Sequence, residues 1–220
     1  KTSSIVAMFR KPNRTNPYRF GENDWSDENW IEGVSDYFLS KTKAEKAAWK
    51  LMESKGLKNK LTTINPGGVF GDALDKKGGT SIEYIRQFMK GKFPGAPKFA
   101  ILISDVKDIA KAHVACIGNN KVGGRRLIVG KDVKRLVELS QLIAEAMPEY
   151  KKKLPTKELP NLMVKLISYI DSSAKTMIPD LGIMMQTDTS YAEEILGFKF
   201  KPAKGCISEN AKSVVRLGLV

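Results

Sequence analysis

At 220 residues the chain can bury a full hydrophobic core without disulfide or metal staples. Its apolar content of 42% excludes an intrinsically disordered chain, and no apolar run nears the roughly 20 residues that a membrane-spanning helix needs. The formal net charge of +13 invites a nucleic-acid reading, yet the lysines are spread over helix faces and turns among Asp and Glu, so neither nucleic acid nor membrane is an expected partner.

Residues 5–9 form too short an apolar stretch for a signal peptide and are followed by Arg10-Lys11. Cys116 and Cys206 lie far apart, and with a single histidine they argue against a zinc site; no metal and a reducing, cytoplasmic setting are expected.

Residues 1–7 read as the tail of a strand entering a loop. Residues 10–33 form a long polar loop with Pro12 and Pro17, and loops of that length usually have a function. A helix is expected over 36–55, with Ser35 or Asp36 as N-cap and Gly56 just past its end. Tyr37, Ala44, Ala47, Ala48 and Leu51 would supply its packing face. A strand over 61–65 is stopped by Pro66-Gly67-Gly68.

Further on, helices are expected over 80–90, 106–117, 133–146 and 159–175, and strands over 99–103 and 126–129. Leu162, Leu166, Tyr169 and Ile170 lie on the last of these helices, and a small α/β tail, 191–196, Gly197-Phe198 and 210–217, follows Pro179. This alternation predicts an α/β fold on a parallel sheet.

The chemistry centres on Tyr37 and Lys41. Tyr-x-x-x-Lys sets a phenol and an ammonium one helical turn apart on one face. A free phenol has a pKa of roughly 10, and a neighbouring cation lowers it, making the tyrosine a usable acid and base. Alone, the pair reads rather as a packed tyrosine and a solvated lysine, because helices contain such pairs by chance. Ser4 ends a strand upstream, where its hydroxyl could bind the same substrate oxygen. Pro66-Gly67-Gly68-Val69 follows the next strand and is either a plain turn or a bare backbone platform. In an open α/β sheet these positions share the carboxyl edge, where ligands bind.

Together these stretches resemble the extended short-chain dehydrogenases/reductases, in the branch of dihydroflavonol reductases and microbial aldehyde reductases. The resemblance rests on Thr2-Ser3-Ser4, Glu22-Asn23-Asp24-Trp25-Ser26, and Tyr37-Phe38-Leu39-Ser40-Lys41 with Ala44-Glu45 and Ala48-Trp49. It continues through 66–71, Asp105-Val106-Lys107-Asp108-Ile109-Ala110 with His113, Leu196-Gly197-Phe198 and Arg216-Leu217-Gly218-Leu219.

It implies the C-terminal part of a Rossmann-like doubly wound parallel sheet, plus a small α/β substrate-binding region. Residues 1–78 would be the cofactor side and 79–220 the substrate side, with about 99–118 packing back on the sheet. It also implies an NAD(P)H-dependent carbonyl reductase with Ser4, Tyr37 and Lys41 as the triad. Tyr37, Lys41, Pro66, Gly67, Gly68 and Val69 would meet the nicotinamide nucleoside. Ser81 would sit near the phosphates, although an ordinary first-turn serine fits as well. NADP(H) is favoured over NAD(H), with a small carbonyl or alcohol substrate and, by analogy, a homodimer.

Residues 10–33 and 159–185 would shape the substrate pocket, with Met184 and Met185 as flexible lining. His113, Asp105, Asp108, Trp25, Trp30 and the cysteines read as structural. The family's Gly-x-x-Gly-x-x-Gly phosphate loop has no counterpart here, so the chain is read as a C-terminal portion lacking on the order of a hundred residues. The alternatives are a sterol dehydrogenase, a nucleotide-sugar epimerase or dehydratase, and a truncated, non-catalytic interaction protein.

Overall fold

A computed structural model of the chain describes residues 1–30, 35–77 and 79–220; the side chains of 172 and 173, the end of the expected 10–33 loop and the boundary residue 78 lie outside it. The elements run β1 (Tyr18–Arg19), α1 (Asp36–Ser54), β2 (Thr63–Pro66), β3 (Gly68–Phe70), α2 (Thr80–Met89), β4 (Ala96–Pro97) and β5 (Ala100–Asp105). There follow α3 (Val106–Ala115), β6 (Arg126–Val129), β7 (Val133–Arg135), α4 (Leu136–Ala146), β8 (Glu158–Leu159), α5 (Asn161–Ile167), α6 (Ser172–Met177), β9 (Met185–Gln186), α7 (Ser190–Leu196) and α8 (Ala203–Arg216).

The expected α/β fold with parallel strands is present. β2 runs parallel to β6 and β3 parallel to β5, while Thr2 bridges Ile64 in the same sense. Among the described strands β7 is the antiparallel member, paired with β5. Between Pro66 and Gly68 the chain changes partner, from β6 to β5. A Cβ on Gly67 would overlap the Leu102 carbonyl oxygen, and one on Gly68 the Ile101 side chain, so glycine lets the two strands approach.

Strand periodicity divides the core. Leu127 and Val129 pack with Ile64, Leu196 and Phe200, whereas Ile128 between them packs with Leu102, Phe9 and Met185. Ile103 turns to a third cluster with Phe88, Leu139 and Ile207, beneath α2, α4 and α8.

Three expectations are corrected. The buried face of α1 is Thr42 and Glu45, while Tyr37, Ala44, Ala47 and Leu51 are exposed, because α1 lies against a polar row rather than an apolar sheet. Residues 133–135 pair as β7 before α4 begins. The expected helix over 159–175 is β8, α5 and α6 in succession. Ser168 Oγ donates back to the Lys165 carbonyl at 2.7 Å where α5 stops, and Leu162, Leu166, Tyr169 and Ile170 are exposed.

Candidate active site

Ser4 is buried at the N-cap of a 3-10 turn, Ile5–Ala7, where its Oγ accepts from Val6 N at 3.3 Å. The same hydroxyl donates to the Pro66 carbonyl at 3.4 Å, so the segment that bridges Ile64 through Thr2, expected to be a strand but forming an isolated bridge, is linked to the end of β2. Asn65 Nδ2 donates to the Ser4 carbonyl at 3.0 Å and fixes the serine backbone from the other side.

Tyr37 stands in the first turn of α1 and is 57% exposed. Ser4 and Tyr37 line one cleft of about 1090 Å³, together with Gly67, Gly68, Val69 and Ser81. Lys41 lies one turn along α1, off the cleft wall, with Nζ 5.7 Å from the Tyr37 ring centroid. Pro66 also lies behind the wall, touching the site through its carbonyl. The Gly67 amide, expected to be bare, donates to Ser104 Oγ at 2.9 Å, because Ser104 sits on the closely packed β5.

Ile5, Phe9, Phe38, Met177 and Met185 give the wall an apolar stretch, while Asp72, Asp75, Lys77, Lys107 and Asn210 also line the cleft; Met184 does not. Tyr84 also faces it, and burial with the nearby Asp171 charge pushes its phenol up to about 12. Arg10, itself buried, also lines the cleft, with its guanidinium 3.5 Å from the Phe38 ring centroid.

Sequence reasoning missed Glu45. Fully buried on α1, it accepts from Thr63 Oγ1 at 3.1 Å, Asn65 Nδ2 at 2.8 Å, Trp49 Nε1 at 3.2 Å, Arg126 Nε at 2.6 Å and the Ser3 hydroxyl. Burial raises its pKa, but Arg126, Ser3 and Asn65 outweigh that and hold the carboxylate below its ordinary range. Arg126 in turn donates to the carbonyls of Glu22, Asp24 and Ala7, and lies 3.7 Å from the Trp25 ring centroid. The available signal was the row of polar residues Ser3, Thr63, Asn65 and Arg126 at strand positions that would otherwise be apolar.

The structural readings of Asp105 and His113 agree with the geometry. Asp105 caps α3 by accepting from Lys107 N and Asp108 N. His113 bonds Thr2 Oγ1 and the Ile109 carbonyl, both at 2.8 Å. Among the described residues no cluster could hold a metal, and no helix is long and apolar enough to cross a membrane.

No family model matches the chain. It is 29% identical to the NADPH-dependent methylglyoxal reductase of Saccharomyces cerevisiae, over 98% of this chain and 62% of that protein. It is 28% identical to cinnamoyl-CoA reductase 2 of Arabidopsis thaliana, over 99% of this chain and 59% of that protein. The crystal structure of the yeast methylglyoxal/isovaleraldehyde reductase complexed with NADPH superposes with a TM-score of 0.73 at 27% identity, covering 100% of this chain and 64% of that one. The chain thus spans about three fifths of the length of the relatives it matches.

Proposed function

The chain is kin to the extended short-chain dehydrogenases/reductases of the dihydroflavonol-reductase-like kind, and from that premise we propose that the protein is an NADPH-dependent carbonyl reductase acting through Ser4, Tyr37 and Lys41. The observation that carries the proposal is the single cleft onto which Ser4, Tyr37 and the Gly67–Gly68 backbone open together. NADP(H) rather than NAD(H) is proposed because the yeast methylglyoxal reductase is NADPH-dependent and its crystal structure is an NADPH complex.

The cleft fits the nicotinamide end of such a cofactor. Gly67, Gly68 and Val69 give it a wall with few side-chain atoms, and its volume of about 1090 Å³ leaves room for a small substrate beside the ring. Gly67, Gly68, Val69 and the Pro66 backbone would hold the ring, Lys41 the ribose, and Ser81, at the start of α2, the phosphates. When bound, the cofactor supplies hydride to the carbonyl carbon. Tyr37 delivers the proton to the oxygen, so a carbonyl plus hydride plus proton becomes an alcohol. Ser4 Oγ, turning its one proton from the Pro66 carbonyl, donates a hydrogen bond to that same oxygen and fixes its position. Lys41, a turn from Tyr37, favours the phenolate left after proton transfer.

The apolar stretch of wall formed by Phe9, Phe38, Met177 and Met185 suits an apolar or aromatic aldehyde or ketone. The reading assigns residues 1–78 to the cofactor side and 79–220 to the substrate side, with a cytoplasmic setting. It includes a homodimer through α1, supported by the exposed Ala44, Ala47 and Leu51.

The exposed apolar residues Leu162, Leu166, Tyr169 and Ile170 favour a second reading, a non-catalytic interaction module. An NADPH-oxidation screen of the complete protein over aldehydes and ketones separates the two. Saturable turnover of at least one carbonyl compound supports the reductase, and no turnover of any supports the module.

A further inference from the structure

Ser4 is held by groups that converge on one carboxylate. Ser3, its neighbour, donates its hydroxyl to Glu45 Oε2. Asn65 Nδ2 bridges that same oxygen, at 2.8 Å, and the Ser4 carbonyl, at 3.0 Å. The other oxygen takes Thr63 Oγ1 from β2 and, at 2.6 Å, Arg126 Nε from β6. Arg126 then carries the link to the carbonyls of Ala7, Glu22 and Asp24 in the loop beyond Ser4. One side chain on α1 therefore ties the segment carrying Ser3 and Ser4, β2, β6 and that loop to the helix that presents Tyr37 and Lys41.

A buried ion pair is no bargain for stability, because well-packed apolar residues of similar volume often do as well. An apolar residue at 45 would, however, take from the Ser3, Thr63, Asn65 and Arg126 donors the acceptor on which they converge. What the carboxylate supplies beyond an apolar core is direction: its two oxygens fix the donors, and the donors fix the Ser4 backbone.

Building on the carbonyl-reductase reading, we propose that Glu45 is a positioning residue. Through Ser3 and Asn65 it sets where Ser4 Oγ meets the substrate oxygen relative to Tyr37. Glu45 touches neither substrate nor cofactor, so its removal acts on the chemical step only by displacing Ser4.

The test is a double-mutant cycle in the complete protein. Glu45→Gln keeps the side-chain volume and removes the charge; Ser4→Ala removes the hydroxyl that it positions. Expected is a fall in kcat of about 10- to 100-fold for Glu45→Gln, the scale of a small misplacement of a reacting group, with KM for NADPH changed less than about threefold. In the Ser4→Ala background the same substitution then lowers kcat further by less than about twofold, because the group it acts through is gone. An equal fold-loss in both backgrounds overturns the proposal and makes Glu45 purely structural. An undiminished rate for Ser4→Ala alone would instead overturn the role of Ser4 in the reductase reading beneath it, whereas no turnover by the wild type would sink that reading itself. If Glu45→Gln lacks the wild-type circular dichroism spectrum, Asn65→Ala cuts the bridge to the Ser4 carbonyl and enters the same cycle, with the same two outcomes.

Discussion

Arg10 and Asp180, 170 residues apart in sequence, close a buried ion pair, with Nε and a terminal nitrogen of Arg10 on Asp180 Oδ2 at 3.0 and 2.5 Å. Arg14 takes the other carboxylate oxygen at 2.6 Å. The loop after Ser4 is thereby fastened to the segment between α6 and β9, and these two stretches bring Phe9, Met177 and Met185 to the cleft.

Asp180→Ala removes the carboxylate that both guanidiniums share. Breaking a buried pair from one side costs about 3–5 kcal/mol, so a comparable fall in unfolding free energy is expected by urea titration. A change below about 0.5 kcal/mol, the level of an ordinary surface substitution, would contradict the clamp.

Gly67 is required by close approach rather than by its own dihedral angles. Gly67→Ala pushes a methyl into the Leu102 carbonyl, and overpacking of this kind costs about 1–3 kcal/mol. Gly21→Ala is the control, since a Cβ there meets open space. Equal melting temperatures for the two variants would refute the close approach of β3 to β5.

Two carboxylates give stability opposite pH slopes. For Glu193, burial raises the pKa but Lys131, the Phe200 amide and Lys199 bring it down to about 2, against an ordinary 4.5. Its contribution is therefore present above about pH 4.5 and is lost as pH falls toward 2. Glu22 is pushed up to about 7 by burial, which Arg125 and Arg126 offset only in part. Its contribution is present below pH 4.5 and is lost as pH rises toward 7. In denaturant titrations from pH 3 to 8, Glu193→Gln should flatten the acid limb and Glu22→Gln the limb approaching neutrality. Unchanged slopes would contradict these assignments.

Much of the fold was legible because local chemistry marked its boundaries. Gly56 adopts the left-handed conformation just past α1, at φ +67°, and Asp105 caps α3 through its side chain, as the sequence led one to expect. The strand over 126–129 is four residues buried throughout, read directly from Arg-Leu-Ile-Val. What could not be read was tertiary. Val133–Arg135 becomes a strand only because β5 offers it a partner. Leu162 and Leu166 sit where a helical stripe would face a core, yet α5 instead buries Val164.

The site divided in the same way. Ser4 and Tyr37 were legible from motif and spacing, and they open on one cleft. Glu45 was not, because a glutamate in mid-helix among lysines looks solvated. Only the fold brings Ser3, Thr63, Asn65 and Arg126 around it.

The proton-donor role of Tyr37 is tested most directly by Tyr37→Phe in the complete protein, assayed by NADPH oxidation with a carbonyl substrate that the wild type turns over. Loss of a general acid costs about 100- to 10,000-fold. Tyr37 is largely exposed, so a fall of that size with an unaltered circular dichroism spectrum is the expected result. Undiminished turnover by a folded Tyr37→Phe variant would contradict the mechanism.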